Sequence, residues 1–264
     1  MTDAVTGANG YVGGVIRAAL GGVGLVRAPG PGDVAWSFAA EPGGLADVLR
    51  ARGVTRIVHA AWDMKASRPA ELAACVEGSR RLLEAARLAG VGRFTFISTI
   101  SAFEGARSAY GRAKLEVERL VLAAGGDVLR PGLVYGDGEG GMFGSLRKTV
   151  AKARVIPMIG DGSAPQYLLH EAMLAAAVRA ELRGVVTVAD PAPVAFRDLL
   201  RRIAAQEGRQ VTLVPVPWQM FYAGLWGAER VGLRLGFKSD SILSFIFQNP
   251  APDFGPMREA GLQA

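Results

Sequence analysis

The chain predicts an α/β protein: a doubly wound parallel sheet with a smaller C-terminal lobe. Three observations carry that prediction. Short apolar runs alternate with amphipathic helical stretches through the first 136 residues, the texture of βαβ units joined by right-handed crossovers. A glycine-rich turn, Thr6-Gly7-Ala8-Asn9-Gly10-Tyr11-Val12-Gly13, follows the first apolar run, Ala4-Val5, and leads into the helical spacing Val12, Val15, Ile16, Ala19, Leu20. The 264 residues are 50% apolar and 20% charged, enough for a sizeable core and long enough for one core plus a smaller lobe.

Strands are expected near 3–6, 24–27, 34–38, 55–61, 93–98 and 127–134, with helices near 11–20, 44–52, 69–89 and 110–124. After Gly136 the texture changes. Gly138, Gly140, Gly141 and Gly144 suggest a loop, followed by a helix near 143–153 and a turn at Ile159-Gly-Asp-Gly162. A helix near 171–182, a strand Val185–Ala189 and a helix near 194–206 come next. The longest uncharged apolar stretch, Val211 to Ala228, is interrupted by Pro215 and Pro217 and diluted by Thr212 and Gln219. A strand Val211–Val214 and an amphipathic helix fit it better than a bilayer span. The last fifty residues are rich in aromatics: Trp218, Phe221, Tyr222, Trp226, Phe237, Phe245 and Phe247.

Glycines at this spacing have distinct physical jobs. One permits a tight turn at positive φ, one lets backbone approach a pyrophosphate, and one lets helix pack close on strand. The amides at the helix start, with the helix dipole behind them, then hold phosphate. Gly7, Asn9, Gly10, Tyr11, Val12 and Gly13 are therefore candidate dinucleotide contacts. The spacing is G-x-x-G-x-x-G rather than G-x-G-x-x-G, so an ordinary strand–turn–helix is the plain alternative.

About a hundred residues on stands Tyr110-Gly-Arg-Ala-Lys114, just after the strand Arg93-Phe-Thr-Phe-Ile-Ser-Thr99. Tyr and Lys four apart share a helix face. An ammonium near a phenol stabilises the phenolate and lowers its pKa from about 10 toward neutrality, which makes the Tyr a usable proton carrier.

With these motifs go Ile57-Val-His-Ala-Ala61, Val76-Glu-Gly-Ser-Arg-Arg-Leu-Leu-Glu-Ala-Ala86 and Leu129-Arg-Pro-Gly-Leu-Val-Tyr-Gly136. Together they resemble the extended branch of the short-chain dehydrogenase/reductase family, of NAD-dependent epimerase/dehydratase type. The resemblance implies a Rossmann fold, with residues 1–136 as the dinucleotide-binding domain, also receiving segment 170–206, and 137–264 mainly as an intertwined substrate lobe. It implies Tyr110 as proton carrier, Lys114 tuning it while holding the nicotinamide ribose, and Thr99 bonding the reacting oxygen, with Ser98 and Ser101 as rivals. Ala60, Ala61, Pro131 and Leu133 are further cofactor contacts by the same resemblance. Helices 69–89 and 110–124 match the family's dimerising pair, so a homodimer is expected.

Cofactor choice turns on the end of the second strand, where an acidic residue would bind the ribose 2′-hydroxyl. The chain has Val26-Arg27-Ala28 instead. A guanidinium pairs with a 2′-phosphate, so NADP(H) is favoured over NAD(H), with Asp33 still a candidate for the ribose. Of the two histidines, His59 reads as a satisfied core residue and His170 as a structural one. The single Cys75 reads as a buried thiol in a reducing compartment. No His, Cys or carboxylate spacing suggests a metal.

The chain also departs from the family's sugar-nucleotide members. Gly162-Ser-Ala-Pro-Gln-Tyr-Leu-Leu-His170 has no Arg or Lys to hold a diphosphate, Leu133 stands where Asn is frequent, and the Thr99–Tyr110 connection is short. With the aromatic C-terminal region, this favours a ketoreductase acting on an aryl or polycyclic carbonyl. A sugar-nucleotide epimerase or dehydratase, and a non-catalytic dinucleotide sensor, are the alternatives. The net charge of +6 comes from arginines scattered beside acids, which fits attraction of an anionic cofactor better than nucleic-acid binding. The first apolar run begins almost at Met1, so no signal peptide is expected, and a cytoplasmic location is.

Overall fold

The computed structural model describes residues 2–138, 140–233 and 238–262; Phe237 lies outside them. In chain order the elements are β1 (Thr2–Thr6), α1 (Tyr11–Leu20), β2 (Val23–Val26), β3 (Val34–Ala35), α2 (Pro42–Ala51), β4 (Val54–His59), α3 (Pro69–Ala89), β5 (Arg93–Ile97) and α4 (Ala109–Ala123). There follow β6 (Asp127–Pro131), β7 (Leu133–Tyr135), α5 (Gly141–Lys152), β8 (Val155–Ile159), β9 (Pro165–Gln166), β10 (Leu168–His170), α6 (Glu171–Arg179) and β11 (Val185–Val188). The chain ends with β12 (Val194–Ala195), α7 (Phe196–Gln206), β13 (Thr212–Val216), α8 (Trp218–Arg230), α9 (Ser239–Ile246) and α10 (Gly255–Glu259).

Seven strands form the central sheet in the order β11-β6-β5-β4-β1-β2-β3, and every neighbouring pair is parallel. Strands buried on both faces read as continuous apolar runs; in β4 every residue but Thr55 is buried. Helices α2, α3 and α4 cover one face over a core containing Leu49, Ile57, Leu82, Phe96 and Val117. On the other face α1, α6 and α10 pack over Val5, Ile16, Val58, Leu129, Leu174 and Met257. The strand order reverses direction between β1 and β4, which opens a crevice at their C-terminal ends.

The structure corrects several expected boundaries. The strand expected at 34–38 is only Val34–Ala35, although Trp36 still donates to the Val26 carbonyl at 2.8 Å. The strand expected at 127–134 breaks at Gly132, after which β7 leaves the sheet to pair with β10. The helix expected from 194 starts at Phe196, because Val194 and Ala195 pair antiparallel with Gln166 and Pro165. The helix expected to reach 182 stops at Arg179. Glu181 turns to φ 53°, and its carboxylate meets Arg93 at 2.5 Å and Arg56 at 3.4 Å. A third cluster, built on Phe143, Leu146, Ile156, Phe196, Leu200 and Ile203, forms the core of the lobe and draws in α5, β8 and α7. Among the described residues no helix is long and apolar enough to cross a membrane.

His59 is fully buried at the end of β4, as its strand position suggests. Its Nδ1 lies 2.7 Å from Thr6 Oγ1 and its Nε2 2.9 Å from Ser79 Oγ, which ties β1 and α3 to β4. Burial, with Lys114 nearby, pushes the imidazole down to about 3. The unfolded imidazole takes up its proton near 6.5, whereas the folded one does so only near 3. The stability contributed by the neutral ring is therefore complete above pH 6.5 and falls as pH falls toward 3. Between pH 6.5 and 4.5 the wild type should lose about 2.3 kcal/mol through this group alone, less than two full units because the unfolded ring is already half-protonated at pH 6.5. Urea titrations of wild type and His59→Gln at both pH values will measure it: the wild type should lose more by about that amount, and equal losses would contradict the assignment.

Candidate active site

The glycine-rich turn closes the C-terminal end of β1. Gly7 stands at φ +68°, and a Cβ there would lie 2.9 Å from the Ala61 Cα, so the turn presses directly against the end of β4. At Gly13 a Cβ would meet the Gly7 carbonyl oxygen at 2.1 Å; only glycine lets α1 approach its own turn this closely. Gly10 is different: it is exposed, and the nearest atom to a Cβ there is the Gly7 oxygen at 3.2 Å. No side chain caps α1 and its first turn holds no acid, which leaves the positive end of the helix facing the crevice. The turn thus has the shape and electrostatics to fit a pyrophosphate.

Around it stand the other expected contacts. The Asn9 side-chain amide points to the Ala28 carbonyl at 3.5 Å, bridging the turn to the end of β2. The Ala61 N–H donates to Thr6 Oγ1 at 3.0 Å, which fixes the backbone after Ala60. Val12 is half-buried against the α1 face of the core. The Tyr11 hydroxyl donates to Glu171 Oε2 at 2.7 Å, and its ring lies against Gly138, Gly140 and Gly141. Burial and the Glu171 carboxylate raise its phenol, so Tyr11 anchors the loop after β7. Pro131 ends β6 and accepts a hydrogen bond from Ile100 at 3.0 Å. The Leu133 side chain instead joins the lobe cluster of Phe143 and Leu146.

At the end of the second strand Arg27 is exposed and has no side-chain partner among the described residues. Asp33 is occupied: Arg17 meets its carboxylate at 2.6 Å, and the Gly24 and Gly30 amides donate to it at 3.2 and 3.3 Å.

Thr99, Tyr110 and Lys114 come together at the end of β5. The Thr99 hydroxyl stands close enough to the Tyr110 phenol to favour its ionised form and accepts from the Ser101 N–H at 3.3 Å. Gly111 makes this approach possible, since a Cβ there would sit 2.5 Å from the Ser101 carbonyl oxygen. Of the rivals, Ser98 is turned inward, its hydroxyl 2.5 Å from Glu118 Oε1. Lys114 is only 3% exposed; its Nζ donates to the Ile97 carbonyl at 2.9 Å and lies 4.4 and 4.5 Å from the Trp62 and Phe96 ring centroids. Burial pushes its ammonium down to about 7, against the pull of Glu118 and Cys75.

The expected lowering of the phenol is not what these residues produce. Burial pushes Tyr110 up to about 12, with Thr99 acting in the opposite direction. The reason is geometric: Lys114 Nζ lies 6.0 Å from the Tyr110 ring centroid and is directed at Ile97 instead. Cys75 is buried in α3 and its thiol is raised by burial, an inert environment. His170 is the N-cap of α6, its Nδ1 accepting from Ala172 at 3.2 Å.

Two contributors were not singled out from sequence. Glu118, 1% exposed and one turn beyond Lys114, receives Ser98 and a bidentate Arg130, whose nitrogens lie 2.5–3.1 Å away. Its signal was available as a carboxylate on the same helix face, i+4 from Lys114. Trp62 stands edge-on to Tyr110 at 5.8 Å, a contact without a local sequence signature.

The family model described as the NAD dependent epimerase/dehydratase family matches residues 4–183. A 3 beta-hydroxysteroid dehydrogenase/Delta 5-->4-isomerase of Mycobacterium tuberculosis is 28% identical over 167 residues, covering 53% of this chain and 45% of that protein. A ceramide reductase of Caulobacter vibrioides is 30% identical over 148 residues, covering 53% of this chain and 46% of that one. The matches thus span less than half the length of these relatives. Among solved structures, the UDP-glucose 4-epimerase of Thermus thermophilus in complex with NAD superposes with a TM-score of 0.66 at 20% identity, covering 94% of this chain and 98% of that one, a likeness of fold.

The turn predicts a contrast between two glycines. Gly10→Val should keep the melting temperature within a few degrees and weaken dinucleotide binding at least about a hundredfold, because the added atoms project where phosphate sits. Gly13→Ala should destabilise the fold by about 1–3 kcal/mol through overpacking. Thermal melts and dinucleotide titrations of both variants check this; unchanged affinity in Gly10→Val would remove the turn as the phosphate site.

Proposed function

The chain belongs to the NAD dependent epimerase/dehydratase family, nicotinamide-dinucleotide enzymes of short-chain dehydrogenase/reductase type, and from that premise we propose that it is an NADPH-dependent ketoreductase acting on large apolar carbonyls. The observation that carries this reading is the gathering of Thr99, Tyr110 and the buried Lys114 at the end of β5, with Thr99 acting on the Tyr110 phenol and Lys114 held on the Ile97 carbonyl. The bound cofactor supplies the hydride chemistry. The protein's part is to hold the carbonyl oxygen against two hydroxyls and to deliver a proton to it. A phenol pushed up to about 12 stays protonated at neutral pH, the state a proton donor needs when a carbonyl becomes an alcohol. Thr99 orients that phenol and bonds the same oxygen. Lys114, poised near 7 beneath Trp62, supplies positive charge that rises as pH falls.

The preference for NADPH rests on the end of β2. Arg27 is exposed there, and the nearby acid, Asp33, is neutralised by Arg17 and two amides. A guanidinium in that place pairs with a 2′-phosphate.

The apolar substrate class rests on what surrounds Tyr110. Trp62 flanks its ring, and Arg107, three residues earlier, stacks 4.0 Å from the Phe247 ring centroid, with Trp218 5.4 Å beyond. Phe245, by contrast, packs on Phe196 in the lobe core. The segment 162–170 brings no cation for a diphosphate, and the curated relatives are named for a steroid and a ceramide, both large apolar molecules. The second reading, a sugar-nucleotide epimerase or dehydratase, is favoured by the T. thermophilus likeness.

Two tests follow. Arg27→Ala should weaken NADPH by about 1.5–3 kcal/mol, the scale of a charge-assisted bond, and leave NADH nearly unchanged; equal losses for both, or a wild type that prefers NADH, would reverse the cofactor assignment. Tyr110→Phe should lower the rate of NADPH-dependent reduction of polycyclic ketones by about 10²–10⁴-fold while cofactor affinity holds. A Tyr110→Phe protein reducing ketones at the wild-type rate would end the ketoreductase reading.

A further inference from the structure

The first turn of α4 is held from the far end of the chain. Asp240, in the first turn of α9, places Oδ1 2.7 Å from the Ala109 amide nitrogen and Oδ2 2.9 Å from that of Tyr110. Ser108 Oγ accepts the next amide, Gly111, at 3.0 Å. A helix start leaves its first amides unpaired, and Ser108 alone is an adequate local cap. Here two further amides, one of them that of Tyr110 itself, are taken by a carboxylate 130 residues away in sequence. The segment carrying it is docked by more than this bond. Lys238 Nζ donates to the Ala66 carbonyl at 2.8 Å, in the loop that carries Trp62. Ser239 donates through both its amide and its hydroxyl to Glu229 at 2.8 Å, and Ser239 and Ile242 are buried.

We propose that Asp240 is a positioning residue: it fastens the C-terminal lobe to the start of α4, so that the Tyr110 hydroxyl is held in register with whatever the lobe binds. The inference rests on reading Tyr110 as the proton donor. The carboxylate also has an electrostatic consequence. It sits at the positive end of α4, where it offsets the helix dipole that would otherwise favour a phenolate. The groups around Tyr110 are Lys114 on its own helix, 6.0 Å from the ring centroid, the neutral Thr99 at the end of β5 and Trp62 after β4, and Asp240 from α9, itself beside Lys238. Replacing the charge with an amide of the same shape therefore makes the phenol easier to ionise, an effect that a purely structural cap would not have.

The test compares wild type, Asp240→Asn, Asp240→Ala and Tyr110→Phe in one assay of polycyclic-ketone reduction by NADPH, with NADPH titration as the measure of an intact fold. Asp240→Asn keeps one acceptor and should lower kcat about tenfold; Asp240→Ala keeps none and should lower it about a hundredfold, the scale of a small misplacement of a catalytic group. Both should hold NADPH within about twofold of wild type. In the reverse direction, alcohol oxidation needs the phenolate, so its rate rises with pH, and in Asp240→Asn the midpoint should move down by about half a pH unit. If Tyr110→Phe is inactive while Asp240→Asn keeps wild-type kcat and midpoint, the positioning role is overturned and the ketoreductase reading stands. If Tyr110→Phe is fully active, both fall together. Should Asp240→Ala fail to bind NADPH, Asp240→Asn decides: a lowered kcat with the shifted midpoint supports the role, and wild-type values for both overturn it.

Discussion

One buried carboxylate sets the frame of the site. Glu118 sits in the middle of α4, 1% exposed, and receives Ser98 from the end of β5 and the Arg130 guanidinium from β6. An unpaired charge in that position would cost several kcal/mol. The bidentate guanidinium and the serine hydroxyl satisfy it in one geometry only. The helix therefore cannot rotate or slide on the sheet without breaking this cluster. Each neighbour of the cluster is a candidate site residue: Thr99 follows Ser98, Pro131 follows Arg130, and Lys114 lies one turn before Glu118.

Burial then sets the protonation of the pair above that anchor. The phenol of Tyr110 is pushed up and the ammonium of Lys114 down, because both charged forms are denied water. Such a pair holds its proton on the phenol and has a lysine whose charge is easily altered by whatever arrives beside it. The glycine turn, at the point where the strand order reverses, supplies the other half of the arrangement. What it offers is its close-packed shape and the amides of an α1 start that no side chain caps. The two halves lie on β1 and β5 and are joined through β4, where His59 ties Thr6 to Ser79.

What was legible in the sequence was local. The alternation of apolar runs gave the parallel sheet, the three glycines gave the turn, and Tyr110 with Lys114 gave the helix face, because each of these is a spacing within one or two elements. The state of the phenol was misread for the same reason: i, i+4 spacing places two groups on one face but does not say that the ammonium turns down to the Ile97 carbonyl. β6 ends early because the chain turns out of the sheet after Gly132, where the Leu133 amide donates to the Tyr167 carbonyl, more than thirty residues on, and such pairings leave no periodicity to read. Asp240 and Trp62 belong to the same class. Their roles depend on which loops and helices the fold brings to the start of α4, and nothing in the stretches around residues 62 and 240 announces it.

The most direct measurement is where deuterium goes. NADPH deuterated at one or the other face of nicotinamide C4, incubated with the protein and polycyclic ketones, should yield an alcohol carrying deuterium at the carbinol carbon from one of the two isotopomers and not the other, read by mass spectrometry. Alcohol formed without label from either isotopomer, or ketones left untouched while a UDP-sugar is epimerised, would contradict the account.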